Sequence, residues 1–532
     1  MERGRAPLPG VKVTLEDVRV GARLLADLPA FLRATVTIAE AREVLRARLV
    51  GREARFLDLA REIFERPLTP YRALLRHVGC ELDDLRELTR REGVEGALGA
   101  LAGEGVFLRC EEFKGRSPIR RGSLEVHFEP RDLVRPGATV HGISESSGSS
   151  GPRTSVPLDL AFIGDHAVDT WLGLAAHDGL DWAHAHWGVS GGTSITNPLE
   201  FAKGGSPPRR WFTPIELDHP SVHARHRRAT RLLRWAGRFA GTPFPGPIHA
   251  PLDDPLPLLH WLRRTLDAGE VPHVWTFASS AVLACAAARD AGIDIAGSRF
   301  TMGGEPTTAA RRRAVEAAGA VALPRYGATE TDILAFACRA PTAPDDMHFL
   351  HDRHAVARPF AGGPGLPANA LLLTSLLPSA PIVLFNVSLG DVAEIPLAPC
   401  DCPMEATGWP MRVREVRSHE KLTAGGIAFL DVDVVRVLEE VLPSRFGGAP
   451  LDYQVVEQAD PSGRPAVRLR IHPSVGPLDE RIVADAFLAA LGSGYGGTPL
   501  TELLWREGEV LRVERTPPAR TDSGKILHLH VA

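Results

Sequence analysis

Between residues 274 and 327, apolar runs of strand length alternate with Ala/Leu/Arg-rich helical stretches. VWTFAS (274–279) is followed by AVLACAAARDAG (281–292), then SRFTMGG (298–304), then a stretch ending in VALPRYG (321–327). Strand, helix, strand, helix is the pattern of an α/β layered sheet. Ligands in such sheets bind outside the carboxyl ends of strands. Gly303–Gly304–Glu305 and Tyr326–Gly327 both stand where a strand is expected to end.

The flanks differ in texture. Residues 15 to about 100 read as helical, because Leu45, Leu49, Phe56 and Leu59 recur at helical spacing with Arg and Glu between them. Pro67 and Pro70 punctuate this part. Beyond about residue 416, Gly425–Gly426 precedes an expected helix, DVDVVRVLEEVL (431–442). LDYQVVEQ and AVRLRIHP read as a hairpin around Asp460–Gly463, followed by a helix over 478–491 and a last strand around 508–514. The expected architecture is α/β: a large multi-layer α/β N-terminal domain with a small mobile α+β C-terminal domain. Its parts are a helical segment (1–135), an α/β core (136–416) and the small domain (417–532).

Composition narrows the partners. The 532 residues carry a net charge of −4, which gives no reason to expect nucleic acid or an anionic membrane. MERGRAPLPGVKVTLEDVRV lacks the apolar core of a signal peptide. The most apolar stretch, Ala368 to Val387, is interrupted by Asn369, Pro378, Pro381 and Asn386 and reads as two buried strands. Six cysteines are sparse for a disulfide scaffold, so a cytoplasmic protein is expected. Of 61 basic residues only five are lysine, at 12, 114, 203, 421 and 525. Where this chain keeps a lysine, a compact point charge is wanted rather than the wide guanidinium fork.

Four motifs carry chemistry. Ser144-Glu-Ser-Ser-Gly-Ser-Ser-Gly-Pro-Arg-Thr154 can turn backbone N–H groups and hydroxyls onto a phosphate; the same composition suits a flexible linker. Arg325-Tyr-Gly-Ala-Thr-Glu330 sets an aromatic, a hydroxyl and a carboxylate together, suited to a base, a phosphate and Mg²⁺, or to an ordinary strand-to-helix turn with Thr329 as N-cap. Asn386-Val-Ser-Leu-Gly-Asp391, after the expected strand IVLF, offers a carboxylate for ribose hydroxyls or a plain turn. Pro518-Ala-Arg-Thr-Asp-Ser-Gly-Lys525 puts a lysine on a glycine turn, able to reach into a cleft or to lie in a solvated tail.

The order of these motifs resembles the acyl-adenylate-forming superfamily of acyl-CoA synthetases, peptide-synthetase adenylation domains and firefly luciferase, over about residues 140 to 530. PLTPYRALL and a Cys/His set look most like the phenylacetate–CoA ligase branch. The resemblance implies that Ser146, Ser147, Gly148, Ser149, Ser150 and Gly151 wrap the ATP phosphates, although the loop ends Gly-Pro-Arg where the family has Gly-x-Pro-Lys. Gly303, Gly304, Glu305 and Pro306 would line the adenine pocket and Tyr326 would stack on the base. Thr329 would touch the α-phosphate, and Glu330 would hold Mg²⁺. Asp391 would accept from the ribose, and Arg417 would contact ribose or phosphate. Lys525 would be the catalytic cation, bridging the carboxylate and the α-phosphate. His186, Trp187 and Gly327 fall where the family places its acyl pocket.

The implied reaction activates a carboxylic acid with ATP, releases pyrophosphate, and passes the acyl group to a thiol of CoA or a carrier protein after the small domain rotates. The family's hinge residue is Asp or Lys; here the aligned residue is His419. An amine acceptor, an unusual oxyacid substrate, a non-catalytic nucleotide-binding relative and a homodimer are compatible with the same residues. Cys338, His348, Cys400 and Cys402 would make a structural Cys₃His zinc site, with His351 or His354 as substitutes for His348, or are four unrelated residues.

Overall fold

The helical N-terminal region forms as its spacing dictates. Helix Ile38–Val50 opens on a reciprocal cap: the Thr37 hydroxyl accepts the Glu40 N–H, while the Glu40 carboxylate accepts the Thr37 N–H at 2.8 Å. Leu45, Phe56 and Leu59 are buried. Pro70 is the first residue of helix Pro70–His77, where a missing N–H costs nothing. The computed structural model describes residues 15–531 apart from 67–68, 146–154, 190, 192, 221, 223, 420–421, 425–426, 430, 460–464, 493–510 and 522–523.

Two short hairpins precede the main sheet: β1 (Ile119–Arg121) with β2 (Leu124–Val126), and β3 (Gly142–Glu145) with β4 (Ser155–Leu158). The sheet itself has twelve strands. Its parallel half comprises β5 (Ala183–Trp187), β6 (Arg210–Thr213), β7 (Pro247–His249), β8 (Pro272–Phe277), β9 (Arg299–Gly303) and β10 (Val321–Ala328), in the spatial order β7-β6-β5-β8-β9-β10. A tight hairpin then reverses the chain into the antiparallel half: β11 (Asp332–Ala337), β12 (Met347–Phe349), β13 (His354–Val356), β14 (Ala370–Ser375), β15 (Val387–Glu394) and β16 (Arg412–Ser418). The expected strand–helix alternation is thus the parallel half, with helix Ala278–Asp290 following β8.

Two layers cover the parallel strands. Ala185, Trp187, Val274 and Phe300 pack under helices Leu256–Asp267 and Ala278–Asp290. The opposite face carries His184, His273 and Trp275 against Phe201 of helix Thr193–Lys203. The antiparallel half shares a core with the N-terminal helices through Phe56, Tyr71, Phe349, Leu372 and Phe385.

Two expectations fail locally. IVLF (382–385) is a buried connection, not a strand, because Asn386 takes φ +50 and breaks the extended run. Its amide donates to the carbonyls of Leu98 and Val106, at 2.9 and 3.1 Å. The strand starts at Val387, so Asp391 lies within β15 rather than after a strand. Likewise Thr329 sits in the β10–β11 hairpin turn and caps no helix.

The C-terminal part follows its pattern. After a hairpin of β17 (Leu422–Ala424) and β18 (Ile427–Phe429), β19 (Tyr453–Ala459) and β20 (Pro465–Ile471) pair antiparallel, and helix Glu480–Gly492 packs beside them. β21 (Leu511–Glu514) lies parallel to β20, and a final strand, β22 (Leu529–Val531), lies parallel to β19. That last strand fixes the chain a few residues beyond Lys525. Among the described residues no helix is long and apolar enough to cross a membrane.

Candidate active site at the strand ends

β9 ends at Gly303, and Gly304 turns the chain with φ +73. Glu305 then points back at the next element: the Ser279 N–H, in the first turn of helix Ala278–Asp290, donates to its carboxylate at 2.7 Å. Arg311 lies 3.5 Å from the same carboxylate.

Lys525 arrives here from the other end of the chain. Its turn is closed by Thr521 N–H donating to the Lys525 carbonyl (2.9 Å) and by Lys525 N–H donating to the Thr521 hydroxyl (3.0 Å). Gly524 takes φ +88, which only glycine adopts freely. The Lys525 ammonium lies over the Phe277 ring at 4.9 Å, and a methyl group built on Gly304 would come within 3.2 Å of it. Burial lowers the ammonium's pKa and Glu305 partly restores it.

Tyr326 and Asp391 also meet, although three strands separate β10 from β15 in the sheet. The Tyr326 hydroxyl donates to Asp391 at 2.8 Å. Burial, with Asp391 beside it, keeps that phenol protonated. Glu330 is buried in the turn after β10; burial raises its pKa, its own N–H and then Lys114 offsetting part. Between Tyr326 and Gly327 the β10–β11 register shifts, and a Cβ on Gly327 would overlap the Asp332 carbonyl. Gly327→Ala is therefore expected to cost about 1–3 kcal/mol, as overpacking does, read as a lower unfolding midpoint in urea.

Other residues named from sequence are not brought to this cluster. The Arg417 guanidinium bonds Asp345 at 2.7 Å and Glu415 at 3.0 Å. Asp391 pairs with Ser418, so Arg417 stands on the other face of its strand. His419 is tied to β15 through its N–H on the Gly390 carbonyl (2.8 Å) and its ring 3.3 Å from the Ser388 hydroxyl. Pro306 is half-buried behind Glu305. Ser146, Ser147, Gly148, Ser149, Ser150 and Gly151 lie outside the described residues; their flanking strands β3 and β4 pair up to Glu145 and Ser155.

His186 and Trp187 separate. Successive strand residues face opposite sides, and the Trp187 indole donates to the Ala250 carbonyl (3.0 Å) within the core beneath the sheet. His186 shares its sheet face with Trp211 and Trp275, two residues that no motif marked, and Arg325, the first residue of the Arg325–Glu330 motif, stacks on Trp275. Arg311, Glu439 and His528 were also missed. The Arg311 Nε donates to Glu439 at 2.7 Å, and the His528 ring is 2.6 Å from the same oxygen. All three are buried. The three lie far apart in sequence, so their pairing shows only once the fold is closed.

Cys338, His348, Cys400 and Cys402 converge, with one ligand atom of each within 4.8 Å of the others. Sγ of Cys338 lies 3.9 Å from that of Cys400 and 3.8 Å from that of Cys402, and the His348 Nε2 lies 3.3 and 3.2 Å from the latter two. A tetrahedron with metal–sulfur bonds of about 2.3 Å has sulfur–sulfur edges of about 3.8 Å. The His348 Nδ1–H donates to the Trp409 carbonyl at 2.5 Å, which leaves Nε2 facing the thiols. His351 is half-buried and His354 buried, and neither is part of the set.

No protein-family model matches this chain, and no curated protein matches it. Solved structures do. A 2-hydroxyisobutyryl-CoA ligase with 2-HIB-AMP and CoA in the thioesterification state is 13% identical, covering 94% of this chain and 91% of its own, with a TM-score of 0.44. Its open conformation is 14% identical over 86% and 93%, with a TM-score of 0.47. ATP-bound MatB from Rhodopseudomonas palustris is 12% identical over 74% and 67%, with a TM-score of 0.42.

Proposed function

We propose that this protein activates a carboxylic acid with ATP, forming an acyl-adenylate and pyrophosphate, and then transfers the acyl group to a thiol of CoA or a carrier protein with release of AMP. The observation that carries the reading is the Lys525 ammonium held over Phe277 beside Gly304 and Glu305, at the carboxyl ends of β8 and β9. When a carboxylate oxygen attacks the α-phosphorus, negative charge crowds the transition state. A positioned cation and oriented donors lower that barrier more than a general base would. Asp391, oriented by Tyr326, is the acceptor suited to ribose hydroxyls. Thr329 and the Ser146–Gly151 loop are the phosphate contacts of this reading. Glu330 suits Mg²⁺, which takes one or two carboxylates plus substrate phosphates; the ion would neutralise phosphate charge. Kinship with the phenylacetate–CoA ligase branch, and His419 as the pivot of the small domain, belong to the same reading.

ATP–pyrophosphate exchange across a panel of acids tests the first step, and exchange with none of them would end the reading. Single-turnover transfer from a formed adenylate to CoA tests the second.

The Cys₃His set suits Zn²⁺ as a structural ion, since all four positions are protein ligands. It would tie β11 and β12 to the segment around Trp409, and through it to helices Ile38–Val50 and Leu160–Ala176. Metal analysis is expected to find one zinc per chain. Cys402→Ser should lose it together with about 4 kcal/mol of stability, the value for zinc at a thousand times its dissociation constant. A zinc-free protein of unchanged stability would refute the assignment.

A further inference from the structure

One face of the parallel sheet carries polar atoms that have no partner among the described residues. His186 stands between Trp211 on β6 and Trp275 on β8 in the strand register, so the three side chains share a face. All three are buried. Among the described residues, neither indole N–H and neither nitrogen of the His186 ring has a hydrogen-bond partner. Helix Thr193–Lys203 lies over this face, its Phe201 ring 5.2 Å from Trp275. One turn earlier the Asn197 side-chain carbonyl also has no partner among the described residues. Three residues on from Asn197, the Glu200 carboxyl accepts from Thr170 at 3.0 Å and shares a hydrogen bond with Asp332.

A burial habit of this chain does not explain them. The buried indoles of Trp187 and Trp409 each find an acceptor, the Ala250 carbonyl at 3.0 Å and Asp352 at 2.8 Å. Each unpaired buried donor or acceptor costs about 1–3 kcal/mol. A cluster of them is the mark of a place where something polar is received.

The position is telling. Trp275 precedes Phe277 by two residues on the same strand face, about 6–7 Å along the strand. Phe277 is the ring under the Lys525 ammonium. Arg325 stacks on Trp275 at 4.4 Å, and the next residue of its strand is Tyr326. His186 and Trp211, level with Trp275 in the register, therefore stand about 6–7 Å along the sheet from the residue whose ring lies under the cation.

We propose that this face is the subsite for the non-reacting end of the acid, and that it selects a short acid, a single ring or a short chain, whose tail carries a neutral hydrogen-bonding group such as a hydroxyl. The inference rests on the adenylation reading given above. The available groups offer both donors and acceptors, and the charged ones are committed: Arg325 is paired with Asp332 at 2.7 Å. Burial holds the His186 ring neutral, with its pKa at about 4, and raises the Glu200 carboxyl, helped by Asp332. A second carboxylate or an ammonium would find no free counter-charge here. A plain hydrocarbon tail would leave the indoles and His186 unpaired.

The test is ATP–pyrophosphate exchange by the full chain with matched acids: benzoate against 4-hydroxybenzoate, butanoate against 3-hydroxybutanoate, and hexadecanoate. In at least one pair the hydroxylated acid should have kcat/KM at least about tenfold above its deoxy partner, since a site built to bond a hydroxyl rejects the analogue lacking it. Hexadecanoate should be inactive. Trp211→Phe and Glu200→Gln should each shrink that ratio, a change that loss of folded protein alone does not produce. Deoxy acids exchanging as well as or better than their partners would overturn the subsite and leave adenylation standing. Ligand-observed NMR of the same acids separates the two readings from the other side. Hydroxylated acids that bind selectively without being activated would support the subsite and overturn adenylation. Binding without preference would overturn the subsite.

Discussion

Lys525→Ala is expected to lower ATP–pyrophosphate exchange by about 10²–10³-fold, the cost of removing one positioned group that stabilises transition-state charge. The loss should appear in kcat more than in KM, because the ammonium matters most when charge builds on the α-phosphate. Lys525→Arg should recover little. Gly304 and Phe277 leave room for a compact ammonium: a single added methyl at Gly304 already stands 3.0 Å from the Phe277 ring and 3.2 Å from the Lys525 nitrogen. A planar fork is wider. The pH profile carries the same signature. The pKa of Lys525 is lowered by burial, with Glu305 opposing. The group therefore loses its charge at lower pH than a free lysine, and exchange should fall on the alkaline side earlier than ordinary lysine titration would bring. Undiminished exchange in the alanine variant would remove Lys525 from the mechanism.

Sequence made some of this visible and hid the rest for physical reasons. VWTFAS, SRFTMGG and VALPRYG correspond to β8, β9 and β10, because short apolar runs between helical stretches have few other places to go. The glycines at 303, 304 and 327 marked strand ends where backbone approaches closely, and the Cys/His spacing found its cluster. HAHW was different. Every residue of β5 is buried, so alternation left no polarity from which to tell the face of His186 from that of Trp187. Trp211 and Trp275 likewise looked like core. Arg417 was read by its place in a motif, but the carboxylate that takes it, Asp345, lies 72 residues away. The final strand β22 was too short to register against a polar tail. Long-range pairing of charges is a property of the closed fold, and a local pattern does not encode it.

Glu439→Ala shows what such pairing holds. Glu439 belongs to the C-terminal part and Arg311 to the helix after β9, Ala309–Glu316; both side chains are 1% exposed. Thr308 also donates to Glu439, and Arg311 reaches the Ile526 carbonyl at 3.4 Å, the residue after Lys525. Removing the carboxylate takes from a buried guanidinium the nearest of its described carboxylate partners, leaving Glu305 at 3.5 Å. The expected loss is about 3–5 kcal/mol, read in denaturant unfolding. Burial alone would raise the Glu439 pKa, yet Arg311 and then His528 outweigh it and hold the carboxyl at about 2. A folded pKa below the unfolded value of about 4.3 means that this stabilisation is complete above that pH and is lost as the pH falls toward 2. In the variant that acid-sensitive increment should be missing. The same change should lower exchange below the global unfolding transition, because the Arg311 contact that steadies the backbone beside Lys525 is no longer held in place. Full exchange and an unchanged unfolding midpoint would mean that the small sheet keeps its seat by apolar contact alone. The lysine's position would then owe nothing to this buried pair.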